Sequence, residues 1–269
     1  IYFYMCDFNK INKLRTYREN TKQFLFYEEM HKNQTYQFVK NKLYRYNTSY
    51  NRELYMKDVL SRMDNFIDPS DPDTDEPNSF HAYQTAESIR KREPDNKALQ
   101  ICGLIHDLGK ILFEFGEPAW AVVGDTYVVG CKFPETIVYY KTMLENPDIN
   151  DTILSTNMGI YKERCGIENL MITVGHDEYL YNVLQRNINH LFPKKYQDII
   201  RFHSFYPWHT GGSYREFMKL EDDEILKNVL SFNQYDLYSK AEDTFIITDD
   251  MKKYYNNLIN EFFPEPLLW

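Results

Sequence analysis

Apolar residues recur at helical spacing along most of the chain. Between residues 21 and 46, Phe24, Tyr27 and Met30 alternate with charged positions, and a similar spacing continues between residues 55 and 65. Because residues three and four apart share one face of a helix, both segments are predicted to be amphipathic helices. The same reasoning predicts further helices over about residues 78–94, 95–116, 137–144, 179–184, 194–205, 221–236 and 252–263.

The segment from Trp120 to Gly130 has a different pattern. It is rich in valine and contains two glycines, so it is predicted to form a small β excursion with a turn at Gly124 and Asp125. No repeat and no linker-like stretch divides the rest of the chain. The fold class is therefore predicted to be all-α, or mostly α, in a single domain over residues 1–269. Residues 1–20 have a weak pattern and are predicted to lead into this domain.

The composition narrows the possible partners. The net charge of −9 leaves no basic stripe to neutralise phosphates, so we expect no nucleic-acid partner. No apolar run reaches the roughly 18–20 residues that a membrane span requires, so we expect no membrane partner either. The four cysteines have no CxxC spacing, which favours a reducing, cytoplasmic location. We expect the chain to act as a monomer.

A His-Asp pair interrupts the most apolar helical stretch, which runs from Leu99 to Phe115. Burying His106 and Asp107 is costly unless something pairs with them, and a metal ion is a suitable partner for a neutral imidazole and a carboxylate. Lys110 follows His106 by one turn and shares its helix face. A buried lysine at this position is suited to neutralising an anion or a developing alkoxide on a metal.

Other polar residues also occur among apolar helical positions. Pooled with the His-Asp pair, they form a set of six: His81, His106, Asp107, His176, His203 and Asp236. Each alone is better explained as a core residue with an ordinary buried hydrogen bond than as a ligand, but six on successive helices would need six such partners. Four imidazoles and two carboxylates are enough to hold two ions of iron, zinc, nickel or copper, with a carboxylate able to bridge them.

A proline-rich acidic segment, from Asp68 to Pro77, is predicted to be a loop because three prolines forbid helix and disfavour a central strand. Two interpretations of this loop stay open. It is either a solvated surface loop or a lid whose carboxylates accept hydrogen bonds from a hydroxylated ligand.

Longer strings in the sequence resemble known proteins. His81 with His106-Asp107 and the distant Asp236 resembles the HD-domain superfamily. The match to the myo-inositol oxygenase family is closer and runs in order from about Arg15 to Trp269. It is carried by Asp68-Pro69-Ser70-Asp71-Pro72-Asp73, Pro77-Asn78-Ser79-Phe80-His81-Ala82, His106-Asp107-Leu108-Gly109-Lys110, Gly116-Glu117-Pro118 with Trp120-Ala121-Val122-Val123-Gly124-Asp125, Gly175-His176-Asp177-Glu178-Tyr179 and Arg201-Phe202-His203-Ser204-Phe205-Tyr206-Pro207-Trp208-His209.

The resemblance implies an HD-like helical bundle that holds two iron ions in a mixed-valent Fe(II)/Fe(III) pair. Such an enzyme converts myo-inositol and O2 to D-glucuronate and water by cleaving a ring C–C bond, the first step of inositol catabolism. The resemblance implies that His81, His106, Asp107 and Asp236 bind one iron. It implies that His176 and His203 bind the other, with Asp107 bridging.

The resemblance also implies the residues that contact the substrate. Lys110 and Asp107 would be the catalytic residues, and Arg15 lies at the family's N-terminal arginine. The implied substrate-binding set is Arg15, Asp68, Pro69, Ser70, Lys110, Gly124, Asp125, His203 and Ser204.

Two other classes of function are compatible with the same six residues. One is an HD-type metal-dependent phosphohydrolase, which would use a metal-activated water on a phosphate ester. The other is a non-enzymatic di-iron oxygen-binding domain. The sequence offers little positive charge for a polyphosphate, and an oxygen carrier would not need the polar residues beyond the ligands.

Overall fold

The helical elements occupy most of the chain in this computed structural model, which describes residues 21–49, 51–66, 68, 77–239 and 245–269. Three-residue to six-residue 3-10 turns connect several of the α-helices, including the turn Leu108–Phe113. The α-helices are α1 Lys22–Asn33, α2 Tyr36–Thr48, α3 Met56–Arg62, α4 Asn78–Arg92, α5 Lys97–Ile105, α6 His176–Arg186, α7 Lys194–Phe202, α8 Tyr206–His209, α9 Asp222–Ser239 and α10 Asp249–Phe262.

The mostly α fold class is confirmed, and the only sheet in the described residues has two strands. Strands β1 (Glu53–Leu54) and β2 (Leu267–Leu268) pair antiparallel, with Glu53 opposite Leu268. This pairing holds the C-terminal residues against the body of the protein, where Trp269 is completely buried. Among the described residues, no helix has both the length and the apolar character needed to cross a membrane.

The first predicted helix is divided into α1 and α2. The Thr35 side chain accepts a hydrogen bond from the Phe38 backbone N–H at 3.2 Å, so it begins a new helix instead of continuing the first. The residue before it, Gln34, is completely buried. Its side-chain amide bonds the carbonyls of Trp120 and Val174, which fixes this corner against the middle of the chain.

Helix α5 lies at the centre of the fold. Every residue from Leu99 to Ile105 is buried, which is typical of a helix with apolar residues on all sides. Its start agrees with the prediction, since the Asn96 side chain accepts from the Leu99 backbone N–H. Its end does not, because the α-helix stops at Ile105 and the chain tightens into the 3-10 turn Leu108–Phe113. His106 therefore lies at the end of the helix and not in its middle.

The segment from Trp120 to Gly130 contains less β structure than its valine pattern suggests. It begins with the 3-10 turn Ala119–Ala121, and its one described ladder contact is an isolated antiparallel bridge between Val128 and Ile172. The valines are buried as expected. The backbone of this segment is paired mostly with loops, and the Val122 carbonyl accepts from the backbone of His176 at 2.7 Å. The excursion therefore serves as a support for the segment that carries His176.

Candidate metal centre

Two of the predicted histidines lie at the C-terminal ends of short helices. His106 follows α5 and His203 follows α7. The Nδ1 atom of His106 is 2.8 Å from the Gly103 carbonyl, and Nδ1 of His203 is 2.8 Å from the Ile200 carbonyl. A carbonyl only accepts hydrogen bonds, so each Nδ1 carries the proton. The Nε2 lone pair of each ring is therefore directed away from its own helix, as in metal-binding histidines.

His176 is oriented in the same way by the 120–130 segment. Its Nδ1 atom donates to the Val122 carbonyl at 2.8 Å, and its backbone N–H donates to the same oxygen. The backbone of Gly109 approaches the other side of this residue. A Cβ atom added at Gly109 would lie only 1.8 Å from the His176 carbonyl oxygen, so this contact requires glycine. The absence of a side chain at Gly109 thus allows the His106-Asp107 turn to pack directly against the start of α6.

The first candidate group combines His81 from α4, His106 and Asp236 from α9. The Oδ1 atom of Asp236 lies 2.7 Å from Nε2 of His81 and 3.4 Å from Nε2 of His106. Burial acts to raise the pKa of Asp236, but its contacts with the two histidines outweigh burial and lower that pKa well below its ordinary value. The three ligand atoms are close enough together to bind one metal ion.

The second candidate group combines Asp107, His176 and His203. The Oδ1 atom of Asp107 is 3.1 Å from Nε2 of His176 and 3.7 Å from Nε2 of His203. The two Nε2 atoms are 3.2 Å apart. The structure therefore brings together all six residues that the sequence predicts as metal ligands. We describe them as two adjoining groups, and His106 lies close to both, since its ligand atom is also near those of Asp107 and His203.

Asp107 lies between the two groups. Its Oδ1 atom faces His176 and His203, whereas its Oδ2 atom is 3.7 Å from Nε2 of His106 and 3.0 Å from Nζ of Lys110. Burial acts to raise the pKa of this carboxyl. Lys110 and the histidines more than compensate, and the pKa is held well below its ordinary value. A carboxylate with its two oxygens directed to different sides is the geometry that a bridging ligand needs.

Lys110 is buried between two carboxylates. Its Nζ atom is 2.9 Å from Oδ2 of Asp68 and 3.0 Å from Oδ2 of Asp107, and Asn78 Oδ1 is 3.4 Å away. Burial acts to lower the pKa of Lys110, but the two carboxylates raise it above its ordinary value. The two carboxylates therefore stabilise the Lys110 ammonium at the edge of the second group.

The donor set fits transition-metal ions. Because His176 and His203 both donate their Nδ1 proton to a carbonyl, two lone pairs face each other across 3.2 Å, which is unfavourable without a cation beside them. Burial acts to lower the pKa of His203, but nearby Asp107 and other carboxylates raise it, so the surroundings favour positive charge there. Imidazole with carboxylate is a ligand set suited to iron, zinc, nickel and copper.

The predicted substrate-binding residues that are described lie around the second group. Asp68 contacts Lys110, and the Ser204 carbonyl accepts a 2.9 Å bond from the Thr126 backbone N–H, next to Asp125. Asp125 is buried, as is Ser204, and Gly124 precedes Asp125 with a φ of +101°. Three of the predicted substrate-binding residues lie outside the described residues: Arg15, Pro69 and Ser70.

Two side chains that the sequence pattern does not single out support this region. The Tyr27 hydroxyl donates to Oδ1 of Asp125 at 3.0 Å and accepts from the Asp125 backbone N–H at 3.2 Å. Asn78 is the first residue of α4, and its side-chain amide donates to the carbonyls of Met63 and Phe66. The sequence pattern places Tyr27 at an apolar helix position. Its role in holding Asp125 follows only from the hydrogen bonds between the two residues.

These features define a helical protein with two adjoining groups of histidine and aspartate, able to hold metal ions beside a buried lysine. A sequence model of the myo-inositol oxygenase family matches residues 20–269, and the chain belongs to that family.

The family's curated members are similar over most of their length. The inositol oxygenase of Mus musculus is 44% identical over 247 residues, which cover 91% of this chain and 86% of the mouse protein. The inositol oxygenase of Homo sapiens is 43% identical over the same shares of both chains. A probable inositol oxygenase of Oryza sativa subsp. japonica is 46% identical over 91% of this chain and 80% of its own.

Proposed function

We propose that this protein is an inositol oxygenase, which converts myo-inositol and O2 to D-glucuronate and water by cleaving one ring C–C bond. The observation that carries the proposal is the position of Asp107 between the two histidine groups, with Nζ of Lys110 3.0 Å from its Oδ2 atom. Membership of the myo-inositol oxygenase family supports the same activity.

We propose two iron ions, in a mixed-valent Fe(II)/Fe(III) pair, as the cofactor. His81, His106 and Asp236 would hold one ion, His176 and His203 the other, and Asp107 both. The pair would supply Lewis acidity for two substrate hydroxyls and the redox capacity to use O2. Four electrons leave one molecule of substrate and reduce one O2, so the overall reaction needs no external reductant.

Lys110 would bind a substrate oxygen and stabilise negative charge that develops on it. The ammonium is held by Asp68 and Asp107 at 2.9 and 3.0 Å, so its direction is fixed before substrate binds. As an ammonium held by two carboxylates, Lys110 would act as a positive charge and a hydrogen-bond donor.

The charge around the site favours a neutral polyol. Asp68, Asp125 and Ser204 supply oxygens that accept hydrogen bonds from hydroxyl groups, and we propose them as substrate contacts together with His203 and Gly124. A phosphate ester would bring negative charge against these carboxylates. We also assign Arg15, Pro69 and Ser70 to the substrate site, on the resemblance of their sequence positions alone.

The test is a paired measurement of oxygen uptake and product. The chain is loaded with Fe(II) without air, partly oxidised and supplied with myo-inositol and O2. We expect one D-glucuronate for each O2 consumed, and an electron paramagnetic resonance signal of a mixed-valent pair that changes when inositol binds. A His31→Asn variant should give the same result, since His31 is a completely buried histidine that contacts Thr142.

Other outcomes would contradict the proposal. Release of phosphate from nucleotides without oxygen uptake would identify a phosphohydrolase. Reversible oxygen binding without glucuronate would identify an oxygen-binding domain.

We further propose that the protein is an HD-type domain that acts as a cytoplasmic monomer at the first step of inositol catabolism. The cytoplasmic location is supported by Cys102, Cys131 and Cys165, which are unpaired thiols among the described residues. The molar mass of the purified chain in solution, measured by light scattering, tests whether it is a monomer.

A further inference from the structure

The ion pair between Arg201 and Glu178 connects the two helices that carry His176 and His203. We propose that this pair is a positioning device: it fixes the separation of His176 and His203, and so governs metal binding at the second group but not at the first. The inference rests on the proposed two-metal centre and extends it to residues that touch neither metal nor substrate.

The geometry of the pair is specific. The Arg201 Nε atom donates to Oε2 of Glu178 at 2.7 Å, and its Nη2 atom lies 3.3 Å from Oε1. Both side chains are buried, with relative exposures of 6% and 4%. A planar guanidinium that meets a carboxylate through two nitrogens fixes orientation as well as distance, which a lysine cannot reproduce.

Each member of the pair is two residues from a candidate ligand. Glu178 lies in the first turn of α6, two positions after His176. Arg201 lies in the last turn of α7, two positions before His203. A bond across the two helices at this level therefore holds the end of α7 against the start of α6, where the two Nε2 atoms lie 3.2 Å apart.

Arg201 also holds the loop that leads into α6. Its Nη1 atom donates to the Glu168 carbonyl at 2.8 Å and its Nη2 atom to the Leu170 carbonyl at 3.2 Å. This loop continues into Gly175 and His176. One guanidinium thus fixes His176 from two directions, through its helix and through the chain that precedes it.

The hydrogen bonds of this pair do not extend to the first group. His81, His106 and Asp236 are carried by α4, the end of α5 and α9. Within the part of the chain that the structure describes, the hydrogen-bond partners of the Arg201 and Glu178 side chains come from the 168–170 loop and from α6 and α7 themselves. Loss of the pair should therefore weaken one metal position and leave the other.

The test is an anaerobic titration of the metal-free full chain with Co(II), followed by the absorption bands of the bound metal and by metal analysis. For the unsubstituted chain we expect two equivalents. For Arg201→Met we expect the affinity of one equivalent to fall by about 10–100-fold, as for other groups that orient ligands, with the other equivalent unchanged. Arg201→Lys should weaken the same equivalent, because an ammonium cannot form both bonds to the carboxylate.

Lys219→Met is the matched control. Lys219 forms an exposed ion pair with the Glu168 side chain at 3.2 Å, so this change removes one positive charge beside the same loop without touching the buried pair. We expect both equivalents to bind as in the unsubstituted chain.

The outcomes separate the inference from the proposed function. Binding of only one equivalent by the unsubstituted chain would refute the two-metal centre and the inference with it. Suppose instead that the unsubstituted chain binds two equivalents. If Arg201→Met then binds both with unchanged affinity, or loses affinity for both to the same extent, the positioning role alone is refuted. If Arg201→Met does not fold by circular dichroism, Glu178→Gln decides: it keeps the shape of the side chain, and unchanged binding of both equivalents would refute the inference.

Discussion

His31 provides a test of the buried polar structure that does not depend on catalysis. Its Nδ1 atom is 2.6 Å from the Thr142 hydroxyl oxygen, and that hydroxyl donates to the Tyr139 carbonyl. Thr142 therefore accepts the bond, and Nδ1 of His31 carries the proton. Among the described residues, His31 Nε2 has no hydrogen-bond partner. Burial lowers the pKa of His31 to about 3, so the ring stays neutral in the folded protein.

The sign of the resulting pH dependence follows from linkage. An exposed histidine in the unfolded chain has a pKa near 6.5, so below that pH the unfolded state binds a proton that the folded state does not. This stabilisation is complete above about pH 6.5 and is lost as the pH falls toward 3. At ~1.36 kcal/mol per pH unit, the loss reaches ~2.7 kcal/mol by about pH 4.5.

The assay compares urea unfolding of the unsubstituted chain and of His31→Asn at about pH 7.5 and about pH 4.5. Asparagine can donate to Thr142 but does not titrate. The other titratable groups are the same in both proteins. Their contributions cancel when the change in the free energy of unfolding between the two pH values is compared. We expect the unsubstituted chain to lose ~2.7 kcal/mol more than the variant. A difference below ~0.5 kcal/mol, the usual limit of additivity, would refute the reasoning.

Three further predictions concern the centre itself. His106→Ala should lose bound iron and inositol-dependent oxygen uptake, whereas His31→Asn should keep both; equal iron content by metal analysis would contradict the ligand assignment. Gly109→Ala should lower the melting temperature and reduce turnover by about tenfold or more, because the new Cβ would lie 1.8 Å from the His176 carbonyl and the backbone must move. A folded Gly109→Ala variant with full turnover would rule out this close contact. Lys110→Met should retain iron but lower kcat by about 10²–10³-fold, the usual effect of removing one group that stabilises developing charge. Steady-state kinetics with myo-inositol check this, and an unchanged kcat would exclude Lys110 from the reaction.

The parts of the fold that depend on local pattern could be predicted from the sequence. Asn96 caps α5 as its type and position suggest, and the apolar spacing identifies most helices. The six candidate ligands were also identifiable, since each is a polar residue at an otherwise buried position. Their division into two groups was implied by the family resemblance alone, because the local pattern does not show how α4, α6, α7 and α9 pack around α5.

The errors have a common physical cause in long-range contacts. The 95–116 segment reads as one helix, but the contact of Gly109 with His176 accompanies a tighter 3-10 turn after Asp107. The valines of the 120–130 segment are buried as in a strand, yet the Val122 carbonyl pairs with His176 instead of a neighbouring strand. In both places a contact with a residue more than 50 positions away prevails over the local preference.

Asp107 connects the separate parts of the site, and this has a consequence for how substitutions combine. One oxygen of its carboxylate faces His176 and His203, and the other faces His106 and Lys110. A change at Lys110 therefore alters the charge around a candidate ligand that lies between both groups, while a change at Arg201 alters the positions of His176 and His203 beside it. Effects of groups that share a partner do not add. Lys110→Met combined with Arg201→Met should accordingly change metal affinity at the second group by an amount that differs from the sum of the single effects, because Asp107, His176 and His203 would hold the same ion.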